Sequence, residues 1–190
     1  MKEKLISFLP DRFPEPETFF VELTGVTYPD PRYHIDRNRS PVFCIEYVVA
    51  GRGHVEVGGR SFSPQAGDLM PMGLHHRYPA DAREPWEKIW MNVRGSLCGE
   101  LLRAYRLTET YHAPACPIGP LFEEFVSFCA APPADSWELS RRCALMLHEI
   151  LARVCESVRA GGEAPRLPSP AEQAKELLDR RLTEPVTVSE

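Results

Sequence analysis

Two hydrophobic patterns divide the chain near Gly95. Before this point, from Phe19 to about Arg94, short apolar runs alternate with polar residues and are separated by glycine-containing turns. A period of two is typical of β-strands that are buried on one side. After Gly95, apolar residues recur every three or four positions, as in amphipathic helices. The pattern predicts a mainly β protein with C-terminal α-helices.

The first part of the chain predicts an antiparallel sandwich or barrel. Residues 54–57 and 60–62 read as a hairpin, because Gly58-Gly59 permits the positive φ of a two-residue type I′ turn. Short strands at regular spacing with glycine turns are typical of this architecture. The other predicted strands are residues 19–27, 41–49, 69–72 and 87–94.

The second part predicts three helices, of which the last is the longest. They cover residues 96–107, residues 120–130, and a span from Asp135 or Ser136, either a natural N-cap, to Arg159. The long helix has a wide apolar surface, formed by Leu139, Cys143, Met146, Leu147, Ile150, Leu151, Val154 and Val158. Either two neighbours within the chain cover it, or its second face meets another copy of the chain. We favour the second explanation, a homodimer through residues 136–159.

Proline, glycine and capping residues suggest the domain organisation. The last four residues, Thr187 to Glu190, form a capping box that starts a new helix, so we expect the chain to include the opening of a second domain. The predicted segments are an arm at 1–18, a barrel at 19–95, a helical dimerisation segment at 96–160, a linker at 161–168 and the start of a second domain at 169–190.

Composition narrows the classes of function. A formal net charge of −5 argues against binding of this chain itself to the phosphate backbone of a nucleic acid. The six cysteines are scattered without a Cys-x-x-Cys pair, which is poor spacing for zinc and suits free, buried thiols in a reducing cytosol. No segment has the length of a signal or membrane-spanning stretch, so we expect a cytoplasmic protein with no membrane partner.

Several stretches together resemble a known family. They are residues 47–53 (YVVAGRG), 67–71 (GDLMP), 75–78 (HHRY), 85–95 (PWEKIWMNVRG) and 174–190. In this order they resemble the N-terminal cupin-type sensor domain of AraC-family transcription regulators, followed by the start of the helix-turn-helix domain. The resemblance implies a jelly-roll barrel (a double-stranded β-helix) with two or three helices after it. It also implies a small-molecule effector, likeness to sugar-responsive members, and DNA binding by the full-length protein only.

The last predicted strand carries the candidate chemistry. Alternation places Lys88, Trp90 and Asn92 on one face and apolar residues on the other. An ammonium donor, a flat aromatic surface and an amide form the mixed lining expected of a pocket for a small polar molecule. The alternative is that Trp90 only fills the barrel while Lys88 extends to solvent.

The resemblance extends this site. In sugar-binding members, the positions that hold the effector correspond to Arg37, Tyr78, Lys88 and Trp90, with Arg39 as a rival for Arg37. Lys88 replaces the family's histidine, so an acidic effector such as a uronate would also suit the site. The family's arm folds over the pocket, which here implicates the segment containing Phe8, Phe13 and Phe19.

We predict neither a metal nor another cofactor. Cupins often hold a metal by a His-x-His pair, a glutamate and a later histidine, and the first three positions fall near Arg37, Arg39 and Cys44. Arginine cannot ligate a cation, so the surviving His76 is instead a candidate ligand contact. Nothing local suggests a catalytic residue, and Glu46 and Glu56 are interpreted as sheet-face residues. The rival hypotheses are a stand-alone cupin enzyme acting on a sugar-like molecule and an oligomerisation module with a filled barrel.

Overall fold

The computed structural model describes residues 2–28, 35–37, 42–57, 59–72, 76–78 and 86–161, together with Ala171 and Lys175. Within these residues the strands are β1 (Lys2–Ser7), β2 (Phe20–Tyr28), β3 (Ile35–Arg37), β4 (Phe43–Ala50), β5 (Val55–Val57), β6 (Arg60–Phe62), β7 (Leu69–Met72), β8 (His76–Tyr78) and β9 (Glu87–Arg94). The helices are α1 (Ser96–Ala104), α2 (Gly119–Ala130) and α3 (Ser136–Ala160).

The strands form two antiparallel sheets that share a core. One sheet has the order β1-β2-β9-β4-β7 and the other has the order β3-β8-β5-β6. Side chains from both sheets pack together in one cluster, which includes Val48 and Met70 from the first and Val57 and Tyr78 from the second. The predicted fold, a cupin-type jelly roll followed by helices, is confirmed.

The helices cover the other face of the five-stranded sheet. Ile45, Ile89, Met91 and Val93 pack there in the same cluster as the buried residues of all three helices. Alternation therefore divides β9 as predicted, with one face in the helical core and the other in the barrel. No helix in the described part of the chain is long and apolar enough to cross a membrane.

Most predicted elements are present, and the differences lie in short or polar segments. The four other predicted strands, the hairpin with its Val57–Arg60 register, and the three helices are confirmed. Asp135 is the N-cap of α3, because its side chain accepts a hydrogen bond from the amide of Glu138. Strands β3 and β8 were not predicted, since three residues are too few to display a period.

The predicted arm is partly a strand of the sheet. Residues of β1 pair with β2 along their whole length, and the polar Lys and Glu residues of β1 suit a sheet edge. Phe13 and Phe19 are buried in the core that also holds the helices, with Phe8 packed against it. The three rings therefore lie on the helical side of the sheet and not over the barrel interior.

The wide apolar surface of α3 is covered within the chain. Leu139, Leu147 and Leu151 are completely buried in the core with α1, α2 and the sheet. The breadth of this surface was the reason for predicting a second copy against it, and that reason is removed. All six cysteines lie in the described residues, are buried and form no disulfide, as predicted. Beyond Gly161, the predicted linker and second domain lie outside the described residues, apart from Ala171 and Lys175.

Gly95 allows the close approach that joins the barrel to α1, and it gives a test of the fold. Its φ is +96°, and a Cβ there would lie 2.3 Å from the backbone oxygen of Thr18. Gly67 has a similar φ of +91°, but a Cβ there would meet nothing within 4 Å. We expect Gly67→Ala to lower the free energy of unfolding by about 1–2 kcal/mol through backbone strain.

Gly95→Ala adds the collision with Thr18. It should lower the free energy of unfolding, measured in urea, by about 2 kcal/mol more than Gly67→Ala does. The two variants share the conformational penalty, so their difference measures the close approach. Equal losses of stability would contradict the described junction between β9 and α1.

Candidate functional site

The barrel interior presents polar side chains from the middle of the five-stranded sheet. In the registers of β9 with β4 and β2, Lys88 lies opposite Val48 and Thr27, and Trp90 lies opposite Glu46 and Gly25. Residues paired in this way project to the same face of a sheet. The sheet therefore carries polar and aromatic residues on the same face as the apolar cluster between the two sheets.

Glu46 is the centre of the polar group. Its carboxylate accepts a hydrogen bond from Lys88 Nζ at 2.6 Å and another from the hydroxyl of Tyr78. The thiol of Cys44 also donates to it, with Sγ 3.2 Å from Oε1. Glu46 is 3% exposed and Lys88 is fully buried. Burying two charges is unfavourable unless they are paired and hydrogen-bonded, and this geometry meets both conditions.

Glu46 projects from a face of the sheet, as interpreted, but that face is buried, and the alternative in which Lys88 extends to solvent is wrong. One signal in the sequence could have identified Glu46. It is the single charged residue in an apolar run from residue 41 to residue 50, in which both faces of the strand are hydrophobic. A charge at such a position is buried on either face and requires a partner.

Two aromatic rings also contact Lys88. Nζ lies 3.9 Å from the ring centroid of Tyr78 and 4.6 Å from that of Trp86. Contacts of this kind stabilise a desolvated cation through the negative face of the ring. Trp86 packs edge-on against Tyr78 and fits closely over Gly53, where a Cβ would be 2.5 Å from the indole. Sequence reasoning did not assign Trp86 to the site.

Trp90 is held in one orientation by a short chain of hydrogen bonds. Its indole Nε1 donates to Thr27 Oγ1 at 2.7 Å, and that hydroxyl donates to Glu3 Oε1 at 2.8 Å. Thr27 and Glu3 come from the two neighbouring strands β2 and β1. The ring is thus fixed at its edge while it stays on the barrel face of β9, which suits a rigid surface for stacking.

Two buried polar atoms in the described structure have no hydrogen-bond partner. They are the amide oxygen Oδ1 of Asn92 and the indole Nε1 of Trp86. Asn92 lies near the end of β9 and Trp86 directly before its start, and they are 1% and 4% exposed. Buried polar groups in folded proteins are nearly always paired, so an unpaired one is a candidate contact for a bound molecule.

The predicted site residues come from both sheets. Tyr78, Lys88, Trp90 and Asn92 are buried in the described structure, and the first two share Glu46. The backbones of Arg37 and His76 pair directly between β3 and β8. Their side chains lie outside what the structure describes, as does the whole of Arg39. The role of each of these residues in ligand binding stays a prediction.

A second polar cluster joins the barrel to the helical layer. The buried carboxylate of Asp68 accepts hydrogen bonds from the amides of Gln65 and Ala115, each at 3.0 Å. His112 Nε2 lies 2.8 Å from Asp68 Oδ2, and the backbones of Leu69 and Ala113 pair beside it. The turn before β7 is thereby tied to the segment that leads into α2. Among the described residues, no group of three or more His, Cys, Asp and Glu side chains could hold a metal.

Comparison with protein families decides the class of domain. The family model of the AraC-like ligand binding domain matches residues 20–164, which include strands β2 to β9 and all three helices. The chain belongs to this family. The match confirms the resemblance that the motifs around Gly51, Asp68 and Trp86 had indicated.

One curated protein that the chain matches is a regulatory protein. The chain is 31% identical over 88 residues to the MmsAB operon regulatory protein of Pseudomonas aeruginosa, a match that covers 42% of this chain and 29% of that protein. The chain thus spans less than a third of the curated relative that it matches.

Two solved AraC-type structures are similar along most of the chain. The transcriptional activator CuxR is 15% identical, with a TM-score of 0.42, and the match covers 95% of this chain and 70% of that one. ToxT from Vibrio cholerae is 10% identical, with a TM-score of 0.44, and the match covers 90% and 68%.

The Glu46–Lys88 pair can be tested by comparing single and double variants. Lys88→Met leaves the carboxylate of Glu46 buried without its cation, so we expect a loss of about 3–5 kcal/mol in the free energy of unfolding. Glu46→Leu combined with Lys88→Met removes both charges and should regain most of that loss, measured by urea unfolding. Additive losses in the double variant would contradict a buried pair.

Proposed function

We propose that this chain is the effector-sensing and dimerisation domain of an AraC-type transcription regulator. The effector is a small polar molecule, a sugar or a sugar acid, and it binds in the barrel. The observation that carries this proposal is the buried group of polar and aromatic side chains on the barrel face of β4 and β9. A barrel that served only as a core would be expected to hold apolar residues there.

The proposed ligand contacts are those of the sequence-based assignment: Arg37, Tyr78, Lys88, Trp90, Asn92 and His76. Trp90 supports stacking against the C–H face of a sugar, because its indole is held at the edge by Thr27. Asn92 supplies an amide beside it on the same face of β9. Lys88 lies on β9 as well, and Arg37, His76 and Tyr78 belong to the β3–β8 pair of the opposite sheet.

The proposed chemistry is recognition without catalysis, in a cytoplasmic protein. Effector binding would favour one arrangement of the full-length protein over another, and DNA binding would belong to a helix-turn-helix domain beyond this one. The Asp68–His112 cluster supports such coupling, since it links the barrel to the segment before α2. The effector must bind the two arrangements with different affinity for any switch to occur.

We also propose a homodimer through α3. The residues proposed for the interface are not those of the wide apolar surface, which is covered within the chain. Trp137 is 69% exposed and Leu145 is 55% exposed, and with Arg141 they share one helical face. A cleft of about 680 Å³ lies beside this face, between α3 and the segment containing Glu15, Thr18 and Phe19. Exposed apolar residues next to a cleft favour an interface between two copies.

The effector site is tested by a thermal-shift screen of sugars, uronates and small acids. A ligand present at a hundred times its Kd stabilises the protein by about 2.7 kcal/mol, which raises Tm by several degrees in a domain of this size. We expect Trp90→Ala and Arg37→Ala to abolish this rise. A ligand that stabilises all three proteins equally would place the site elsewhere.

The dimer is tested by size-exclusion chromatography with light scattering. The unmodified chain should show twice its 21.5 kDa mass, and Leu145→Asp should shift it to monomer because a charge enters an apolar contact. Leu9→Asp is the matched control, since Leu9 is 69% exposed and distant in sequence from α3. A monomer at high concentration for the unmodified chain would overturn this interface.

A further inference from the structure

The described charges of the barrel interior are balanced before any molecule binds. Lys88 Nζ lies 2.6 Å from Glu46 Oε2, and the two side chains are 0% and 4% exposed. Tyr78 and Cys44 direct their hydrogens at the same carboxylate. A ligand carboxylate placed beside this group would meet the negative charge of Glu46, and the cation described there, Lys88, is already paired.

One acceptor on the same face has no donor. The amide oxygen of Asn92 is buried and makes no hydrogen bond in the described structure. In register, Asn92 lies opposite Cys44 on β4 and Leu23 on β2, so its neighbours across the sheet include an apolar side chain. A buried amide oxygen is stable only when a donor reaches it, and an effector can supply that donor.

Trp90 lies between the Glu46–Lys88 pair and the unpaired amide oxygen of Asn92. It follows Lys88 by two residues and precedes Asn92 by two, and all three project to the barrel face. Its indole N–H is already used by Thr27, so the ring offers its flat surface and not its donor. A molecule stacked on this ring would extend toward the unpaired oxygen of Asn92 at one side and the balanced ion pair at the other.

We infer that the effector is an uncharged molecule that donates a hydrogen bond, from a hydroxyl or an amide N–H, to Oδ1 of Asn92. This inference rests on the proposed function and selects the neutral sugar over the sugar acid within it. Lys88 then serves as the partner of Glu46 and not as a receptor for an anion. Asn92 is the residue that selects for the donor.

The experiment is calorimetric titration at pH 7 with neutral and acidic members of matched pairs: galactose and galacturonate, glucose and glucuronate. For a pair that binds, we expect the neutral member to bind at least about tenfold more tightly than its acid. Glu46→Gln leaves Lys88 without its carboxylate and should reverse this order. An acid that binds the unmodified chain more tightly than its neutral partner would overturn the inference and leave the proposed function standing.

Asn92→Leu is a second, independent test, in which stability and ligand affinity should change in opposite directions. Removing an unpaired buried acceptor should raise the Tm of the ligand-free protein by about 2–4 °C, while the affinity for the neutral ligand falls at least about tenfold. Met91→Leu, on the helical face of the same strand, is the control and should retain full affinity. Unchanged affinity in Asn92→Leu would overturn the role of Asn92. If neither member of any pair binds the unmodified chain, the proposed sugar-sensing function fails together with the inference.

Discussion

The buried ion pair between Glu46 and Lys88 is the constraint on which the barrel depends. It joins β9, the middle strand of the five-stranded sheet, to the neighbouring strand β4, and the two side chains are 0% and 4% exposed. The desolvation of two charges is recovered only if their geometry is close and their remaining hydrogen-bonding capacity is used. Tyr78 contributes to this from the opposite sheet, so the same carboxylate that balances Lys88 also connects the two sheets.

This constraint explains why β9 can serve both the core and the site. Its helix-facing residues, such as Met91 and Val93, are buried in a purely apolar cluster that fixes the position of the strand. Its barrel-facing residues are then held on a rigid support, which is what a recognition site requires of its scaffold. Because one strand carries both faces, a displacement of β9 by a ligand would have to be accommodated in the packing of the helices.

The sequence predicted the elements that have a clear period and missed features that depend on tertiary contacts. The alternation in β9 correctly separated Lys88 and Trp90 from Ile89, and the cap at Asp135 correctly started α3. Strands β3 and β8 have no period to detect, and β1 is recognisable only through its pairing with β2. The burial of Glu46 is not evident when this residue of β4 is considered alone. Its apolar neighbours on both sides would have identified it as buried.

The width of the apolar surface on α3 shows a related difficulty. Helical periodicity counts the apolar positions of a helix, but it does not say how many neighbours within the chain will cover them. Here α1, α2 and the sheet bury Leu139 and Leu151 completely, so a surface that looked excessive for one chain is accounted for. The residues that stay exposed, Trp137 and Leu145, were not on the stripe. An interface between copies is therefore better inferred from apolar residues that remain exposed after folding than from the total apolar width of a helix.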